Sequence, residues 1–145
     1  MNIQTPSDLR QRRDAIVREH ISAENAHDIP RAIATFDRPR YEVAPFGAPS
    51  DGSQAVHDLL TAMFSAFPDF HVDAPRIHHA DEAVIVEFVM TGTHRGPFAG
   101  IEPTGHPINL PLVGIFDFED DRLVCEKVYF DMATLLSQLQ NGTAV

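Results

Sequence analysis

The sequence has no tryptophan, a single cysteine and no long apolar run. The lone cysteine, Cys125, cannot form a disulfide within the chain, which suits a reducing compartment. No window approaches the roughly 20 apolar residues of a membrane helix, and residues 1–19 contain arginines but no apolar stretch of the kind that directs export. We therefore expect a cytoplasmic protein that does not enter a membrane.

Basic residues are also scarce, because 11 lysines and arginines stand against 21 aspartates and glutamates, a net charge of −10 at pH 7. Such a charge repels phosphate backbones and anionic membranes, so we expect no nucleic-acid or membrane partner. A chain of 145 residues buries about 68 to 70% of its unfolded surface on folding, which is sufficient for one core. We predict one domain over residues 1–145, with a frayed tail from about residue 140.

Apolar residues recur every three or four positions in four segments, which is the spacing of amphipathic helices. Ser7, Asp28, Ser53 and Asp131 stand at or near the starts of these segments and are candidate N-caps. The predicted helices cover residues 6–26, 29–36, 53–67 and 132–139.

Five segments have the composition of β-strands, and four of them follow one another after the third helix. Pro75 places the first of these four at a sheet edge, because proline cannot donate to a ladder. The sequence therefore predicts an α+β fold, in which a curved antiparallel sheet wraps around a long N-terminal helix and encloses a pocket. The predicted strands cover residues 40–44, 70–77, 83–94, 107–118 and 122–130.

Two motifs carry a resemblance to a known family. Gly92-Thr93-His94-Arg95-Gly96-Pro97-Phe98-Ala99-Gly100 with Pro103-Thr104-Gly105, and Tyr129-Phe130-Asp131 with the leucines that follow, resemble the loop and C-terminal patterns of the SnoaL-like ester and polyketide cyclases. The turn at residues 25–36 resembles that of the wider superfamily of ketosteroid isomerase and nuclear transport factor two. The resemblance covers about residues 13–140 and implies a cone-shaped, cystatin-like fold.

The same resemblance implies that the usual catalytic groups are missing. The acid/base aspartate and the histidine of the cyclases fall on Val128 and Gly114 of this chain, and the groups of ketosteroid isomerase fall on His20, Ala44 and Gly114. Two functions stay open. One is a cyclase or isomerase that uses other acid/base groups on a hydrophobic, carbonyl-bearing compound, and the other is a non-catalytic domain for ligand binding or dimerisation.

Three residues are candidate catalytic groups. His20 shares the apolar face of the first helix and could relay a proton, although a core histidine satisfied by a neighbour would look the same. Glu126 alternates with Val124 and Val128 on the last strand, where burial would make it a general acid, unless it is exposed and paired. Glu42 is the candidate to replace the lost base. A single bulge would reverse these orientations, so the facing of Glu42 and Glu126, like that of Glu87, stays open.

The remaining expectations concern the pocket, metals and partners. His20, Glu24 and His27 share a helix face, but one helix supplies too few ligands, so we expect neither a metal nor a cofactor. Val113 and Ile115 are apolar and predicted to face outward, which favours a homodimer formed through the sheet. The residues expected to contact a small hydrophobic ligand are Tyr41, Phe64, Phe88, His94, Leu112, Phe116, Val128 and Tyr129.

Overall fold

The computed structural model describes residues 5–142 and contains four α-helices and six strands in that range. The last helix continues through Asn141, so the expected fraying at residues 140 and 141 is not observed, and residues 143–145 lie outside the described part. The elements are α1 (Pro6–Asn25), α2 (Ile29–Ala34), β1 (Arg40–Val43), β2 (Ser50–Asp51), α3 (Ser53–Ala66), β3 (His71–His79), β4 (Ala83–Thr93), β5 (Pro107–Glu119), β6 (Arg122–Tyr129) and α4 (Met132–Asn141).

The strands form one curved, unclosed sheet in the order β2-β1-β6-β5-β4-β3. Strands β3 to β6 form the expected antiparallel meander, and β1 adds to it in parallel with β6. Strand β3 lies at the free edge, as Pro75 predicts, and its register shifts between Asp73 and Arg76 around that proline. The α+β architecture expected from the sequence is confirmed.

Two of the candidate helix caps are wrong by one or two residues. Thr5 caps α1, because its extended backbone lets its hydroxyl accept from the amide of Asp8 at 3.1 Å, and this leaves Ser7 inside the first turn. Gly52 takes the cap position of α3 with φ at +95°, so Ser53 is already helical. Asp28 and Asp131 cap α2 and α4 as expected.

Helix α1 is fixed over the sheet by a buried arginine at one end. Arg13 is 4% exposed and donates to the carbonyl oxygens of Asp120 at 2.7 Å and Asp81 at 2.8 Å, in the turns of two hairpins. Helical spacing then puts Val17 and His20 on the same buried face, further along the helix. The anchor at Arg13 therefore helps to hold His20 against the concave side of the sheet.

A bulge in β6 determines which of its side chains face inward. Cys125 pairs with Asp117 while Leu123 pairs with Phe118, so Val124 is an extra residue in the ladder. Leu123, rather than Val124, is the buried residue at this point of β6. The prediction that Val124 shares the inward face with Glu126 is therefore wrong for Val124. Beyond the bulge, Glu126 and Val128 point into the fold as the alternation predicted.

None of the helices in residues 5–142 is both long enough and apolar enough to cross a membrane.

Candidate functional site

A cavity of about 80 Å³ lies between the helices and the concave face of the sheet. Among residues 5–142, three polar side chains line it, namely Glu24 from α1, Tyr41 from β1 and Glu126 from β6. The rest of the lining is apolar and comes mainly from α3 and the central strands. The apolar lining residues are Val43, Leu59, Leu60, Met63, Phe70, Val72, Phe88, Met90, Leu112, Val128 and Phe130.

The three polar lining residues converge on one imidazole nitrogen behind them. Nε2 of His20 lies 2.5 Å from Oε1 of Glu24, 2.7 Å from the hydroxyl of Tyr41 and 3.2 Å from Oε2 of Glu126. His20 itself is 1% exposed and does not line the cavity. A ligand in the cavity would thus contact the carboxylates and the phenol, and His20 would act on it through them.

The hydrogen bond at the other ring nitrogen fixes the protonation of His20. Nδ1 lies 2.8 Å from Oγ1 of Thr35, and that hydroxyl already donates its only proton to the carbonyl oxygen of Ala32 at 2.6 Å. Nδ1 must therefore be a donor. Since an unprotonated Nε2 would point its lone pair at two carboxylates, the arrangement favours the doubly protonated, charged imidazolium.

The charge balance around His20 supports the same state. Burial alone would lower the pKa of His20, but the negative charges of Glu24 and Glu126 and their hydrogen bonds outweigh burial and raise the pKa from 6.5 to about 10. Tyr41 is buried beside the same two carboxylates, so its pKa is raised well above 10 and its hydroxyl stays neutral. That hydroxyl donates to Oε1 of Glu24 at 2.7 Å.

Glu126 is the carboxyl group with an unsatisfied oxygen. It is 4% exposed, and its Oε2 makes no hydrogen bond of acceptable geometry within the described residues, despite lying 3.2 Å from Nε2 of His20. Burial and repulsion by Glu24 raise the pKa of Glu126, and the positive charge of His20 opposes that rise. A carboxyl group with a raised pKa beside an apolar cavity is suited to take up and release a proton.

Thr35→Val provides a test of this arrangement. Valine cannot accept the proton of Nδ1, so the charged imidazole loses a partner and the pKa of His20 is expected to fall. The unpaired buried donor is expected to cost about 1 to 3 kcal/mol of stability. The pKa can be followed by ¹⁵N NMR titration of the ring nitrogens, with Thr35→Ser as the matched variant that keeps the acceptor. Equal His20 titrations in the valine and serine variants would contradict the assignment.

The structure brings together several of the residues expected at the site. His20, Tyr41 and Glu126 form the polar cluster, and Phe88, Leu112 and Val128 line the cavity. Glu24 is the polar residue that sequence reasoning left out of the site. Its position one helical turn after His20 was the available signal, because residues four apart on a helix are neighbours.

Glu42 does not belong to this site. Tyr41 and Val43 occupy the inward positions of β1, so Glu42 faces the other side of the sheet, where it accepts from Arg40 at 3.0 Å. Arg40 lowers the pKa of Glu42, and the thiol of Cys125 lies 3.8 Å away. Glu42, which the sequence predicted as the replacement base, is therefore not among the residues that a ligand in this cavity would contact.

Four aromatic residues expected at the pocket are not among those that line it. Phe116 is buried behind the cavity with its ring 5.7 Å from that of His20, and Phe64 stacks on His27 at 4.3 Å. His94 is fully buried in the loop region, where its Nδ1 accepts from the amide of Thr104 at 3.2 Å. Tyr129 is 49% exposed, because it is the outward residue at the end of β6.

His20, Glu24 and Glu126 are the trio in residues 5–142 whose ligand atoms lie close enough to suggest a metal, within 4.8 Å of one another. Ligands of a tetrahedral ion with bonds near 2.1 Å are separated by roughly 3.3 Å. The 2.5 Å between His20 and Glu24 is instead a hydrogen-bond distance, so the trio as arranged fits a shared proton. His27, the third member of the set considered from sequence, bonds to the carbonyl oxygen of Phe70 at 2.9 Å.

The family model described as SnoaL-like polyketide cyclase matches residues 14–139. No curated protein sequence matches the chain significantly.

Several solved structures resemble this fold over nearly its whole length. A proposed SnoaL-like polyketide cyclase from Jannaschia sp. CCS1 superposes with a TM-score of 0.84 at 17% identity, covering 99% of this chain and 100% of that one. AclR, a proposed hydroxylase from Streptomyces galilaeus, gives 0.75 at 25% identity, covering 92% and 83%. IdmH, a proposed polyketide cyclase from Streptomyces antibioticus, gives 0.73 at 22% identity, covering 88% and 98%. These neighbours establish the cone-like fold.

Proposed function

Because this chain belongs to the SnoaL-like polyketide cyclase family, we propose that it is a small-molecule enzyme of the cyclase or isomerase type that works without a cofactor. The proposed substrate is a hydrophobic compound that carries a carbonyl group. The observation that carries this proposal is the Glu126 carboxyl group, which lines an apolar cavity and lies 3.2 Å from Nε2 of His20.

In the proposed reaction, the carboxylate of Glu126 takes a proton from the carbon next to the substrate carbonyl. Negative charge then moves from Glu126 to the carbonyl oxygen, where the neutral hydroxyl of Tyr41 becomes the donor by exchanging its hydrogen bond to Glu24 for one to the substrate. Glu126 returns the proton to carbon or oxygen in the second half of the reaction. Each such positioned group contributes about 10² to 10⁴ in rate.

His20 has a different role in this proposal from the one expected from the sequence. The sequence suggested His20 as the group that abstracts or relays the proton, but it lies behind the lining residues and is already doubly protonated by the argument from Thr35. We assign it as a positioning residue whose positive charge offsets the two carboxylates and the developing enolate.

The dimensions of the cavity restrict the substrate. A volume of about 80 Å³ is well below the roughly 300 to 1,000 Å³ of pockets that enclose drug-sized ligands. We therefore propose that the substrate is compact, or that only its reacting carbonyl end enters this cavity.

Exchange of hydrogen for deuterium next to a ketone provides the test. Cyclopentanone in D₂O should exchange its α-hydrogens faster with the wild-type protein than with buffer alone, because the first proposed step is abstraction of such a hydrogen. Proton NMR measures the loss of signal directly. If the rate with protein equals the buffer rate for cyclopentanone and for a set of larger cyclic ketones, the proposed reaction is wrong.

A second candidate function is ligand binding without catalysis. It is favoured by Gly114 and Val128, the positions on which the histidine and the aspartate of the cyclases fall by resemblance. These two residues pair directly across β5 and β6, and neither carries an acid or base group. A Cβ at Gly114 would fall 2.7 Å from Cε2 of Phe88, so the aromatic ring occupies the space that a side chain at this position would need. Ketone binding without α-hydrogen exchange would favour this function.

The homodimer expected from the sequence remains a proposal for the outer face of the sheet. Val113 is 36% exposed there, and Ile115 is half-buried. Asp117 of β5 and Lys127 of the neighbouring β6 form an ion pair of 2.9 Å, so the apolar surface is bordered by charge.

A further inference from the structure

The cavity contains charged groups that a neutral ketone would not balance. When Glu24 and Glu126 are both ionised, they contribute two negative charges and the imidazolium of His20 supplies one positive charge, so the cluster then carries one net negative charge. Among the described residues, no lysine or arginine lines the cavity. An uncompensated negative charge in an apolar environment is costly, and it is relieved by a proton or by a positively charged ligand.

The hydrogen-bonding capacity of the lining has the same polarity. Both oxygens of Glu24 and of Glu126 are acceptors when the carboxyl groups are ionised, and both residues line the cavity. The hydroxyl of Tyr41, the one donor among the lining side chains, is already used by Glu24. The cavity therefore presents hydrogen-bond acceptors, which suit a ligand that donates.

The remaining lining is suited to the alkyl part of such a ligand. Phe70, Phe88 and Phe130 supply aromatic rings, and the faces of such rings attract organic cations. Met63 and Met90 add adaptable, polarisable surface. The small volume of about 80 Å³ excludes long chains and favours a compact cation.

We propose that this cavity binds a small alkylammonium ion, whose N–H group donates to the carboxylate of Glu126 and whose alkyl groups contact the aromatic and methionine side chains. The inference concerns the same cavity as the proposed reaction, but it depends on the charge of the cavity and on its acceptors. It adds a class of ligand that the proposed chemistry on neutral carbonyl compounds does not include.

The test compares a charged ligand with a neutral one of similar shape. Trimethylammonium and tert-butanol both offer one hydrogen-bond donor and methyl groups, but only the first is positively charged. Titration of the ¹⁵N-labelled wild-type protein, followed by ¹H–¹⁵N chemical shifts in an amine-free buffer, is expected to give at least about tenfold tighter binding of trimethylammonium. The shifts should be largest for residues that line the cavity.

Variants then locate the charge responsible. Glu126→Gln is expected to weaken trimethylammonium binding by about tenfold or more, while Glu42→Gln, on the other side of the sheet, should leave it within about twofold. Equal affinities for trimethylammonium and tert-butanol in the wild-type protein would overturn the proposal without recourse to any variant. So would trimethylammonium binding that Glu126→Gln leaves unchanged.

The outcomes separate this inference from the proposed reaction. Glu126-dependent binding of trimethylammonium without ketone exchange would support the inference and contradict the reaction. Ketone exchange without preference for trimethylammonium over tert-butanol would do the reverse.

Discussion

Replacing Glu126 by glutamine is expected to lower the protein-dependent rate of α-hydrogen exchange in cyclopentanone by about 10² to 10⁴. Glutamine has nearly the same shape as glutamate but cannot accept the proton from carbon. The fold should survive, because the amide removes a buried carboxyl group that repels Glu24. Proton NMR of the exchange and urea-induced unfolding together separate lost chemistry from lost structure.

Glu42→Gln is the matched control for that experiment. It makes the same change on a neighbouring strand, but Glu42 faces away from the cavity and pairs with Arg40. We expect its exchange rate to stay within about twofold of wild type, since surface pairs of this kind contribute little. A Glu126→Gln variant that keeps the wild-type rate, or a Glu42→Gln variant that loses it, would contradict the assignment of Glu126.

Replacing His20 by glutamine is expected to have the largest effect on stability. The change leaves the half-buried Glu24 and the buried Glu126 without their cation, and breaking a buried charge pair in this way costs about 3 to 5 kcal/mol. Urea-induced unfolding at pH 6 measures the loss. His57→Gln is the control, because His57 lies on the exposed face of α3 with 51% of its side chain accessible, and its replacement should change stability by less than about 0.5 kcal/mol.

The pH dependence of the wild-type protein gives an independent check on His20. Below about pH 6.5 the imidazole is protonated in both the folded and the unfolded chain, so its stabilising contribution is complete. Between pH 6.5 and about 10 only the folded chain keeps this proton, so the free energy of unfolding should fall as pH rises. The pKa of Glu126 is also raised, so above its ordinary value of 4.5 this residue likewise makes the free energy of unfolding fall as pH rises.

The cost of His20→Gln should consequently shrink between pH 6 and pH 9.5, since the wild-type protein loses its own advantage over that range. If wild-type stability were constant or rising over this range, or if the variant were equally costly at both pH values, His20 would not be the imidazolium described here.

The architecture was accessible from the sequence because its signals are local. Pro75 and the caps Asp28 and Asp131 each specify the conformation of a few residues. The spacing of apolar residues on α1 likewise predicted the inward position of His20. Periodicity and turn chemistry are sufficient to predict such features.

The detail of the site depends on side-chain facing, which local pattern does not determine in short or irregular strands. Strand β1 has only four residues, so the pattern of its polar and apolar side chains was too short to show that Tyr41, rather than Glu42, points inward. The bulge at Val124 displaced one position of β6, although Glu126 kept its predicted direction. Thr35 carried no signal, because its link to His20 requires the packing of α2 against α1.

The proton-holding residues and the residues that give the cavity its shape come from different parts of the fold. His20, Glu24, Tyr41 and Glu126 are supplied by α1, β1 and β6, whereas Leu59, Met63 and Met90 come from α3 and β4. Substitutions on α3 would change the shape of the cavity and so the ligands that fit it, while the residues that hold the proton stayed the same.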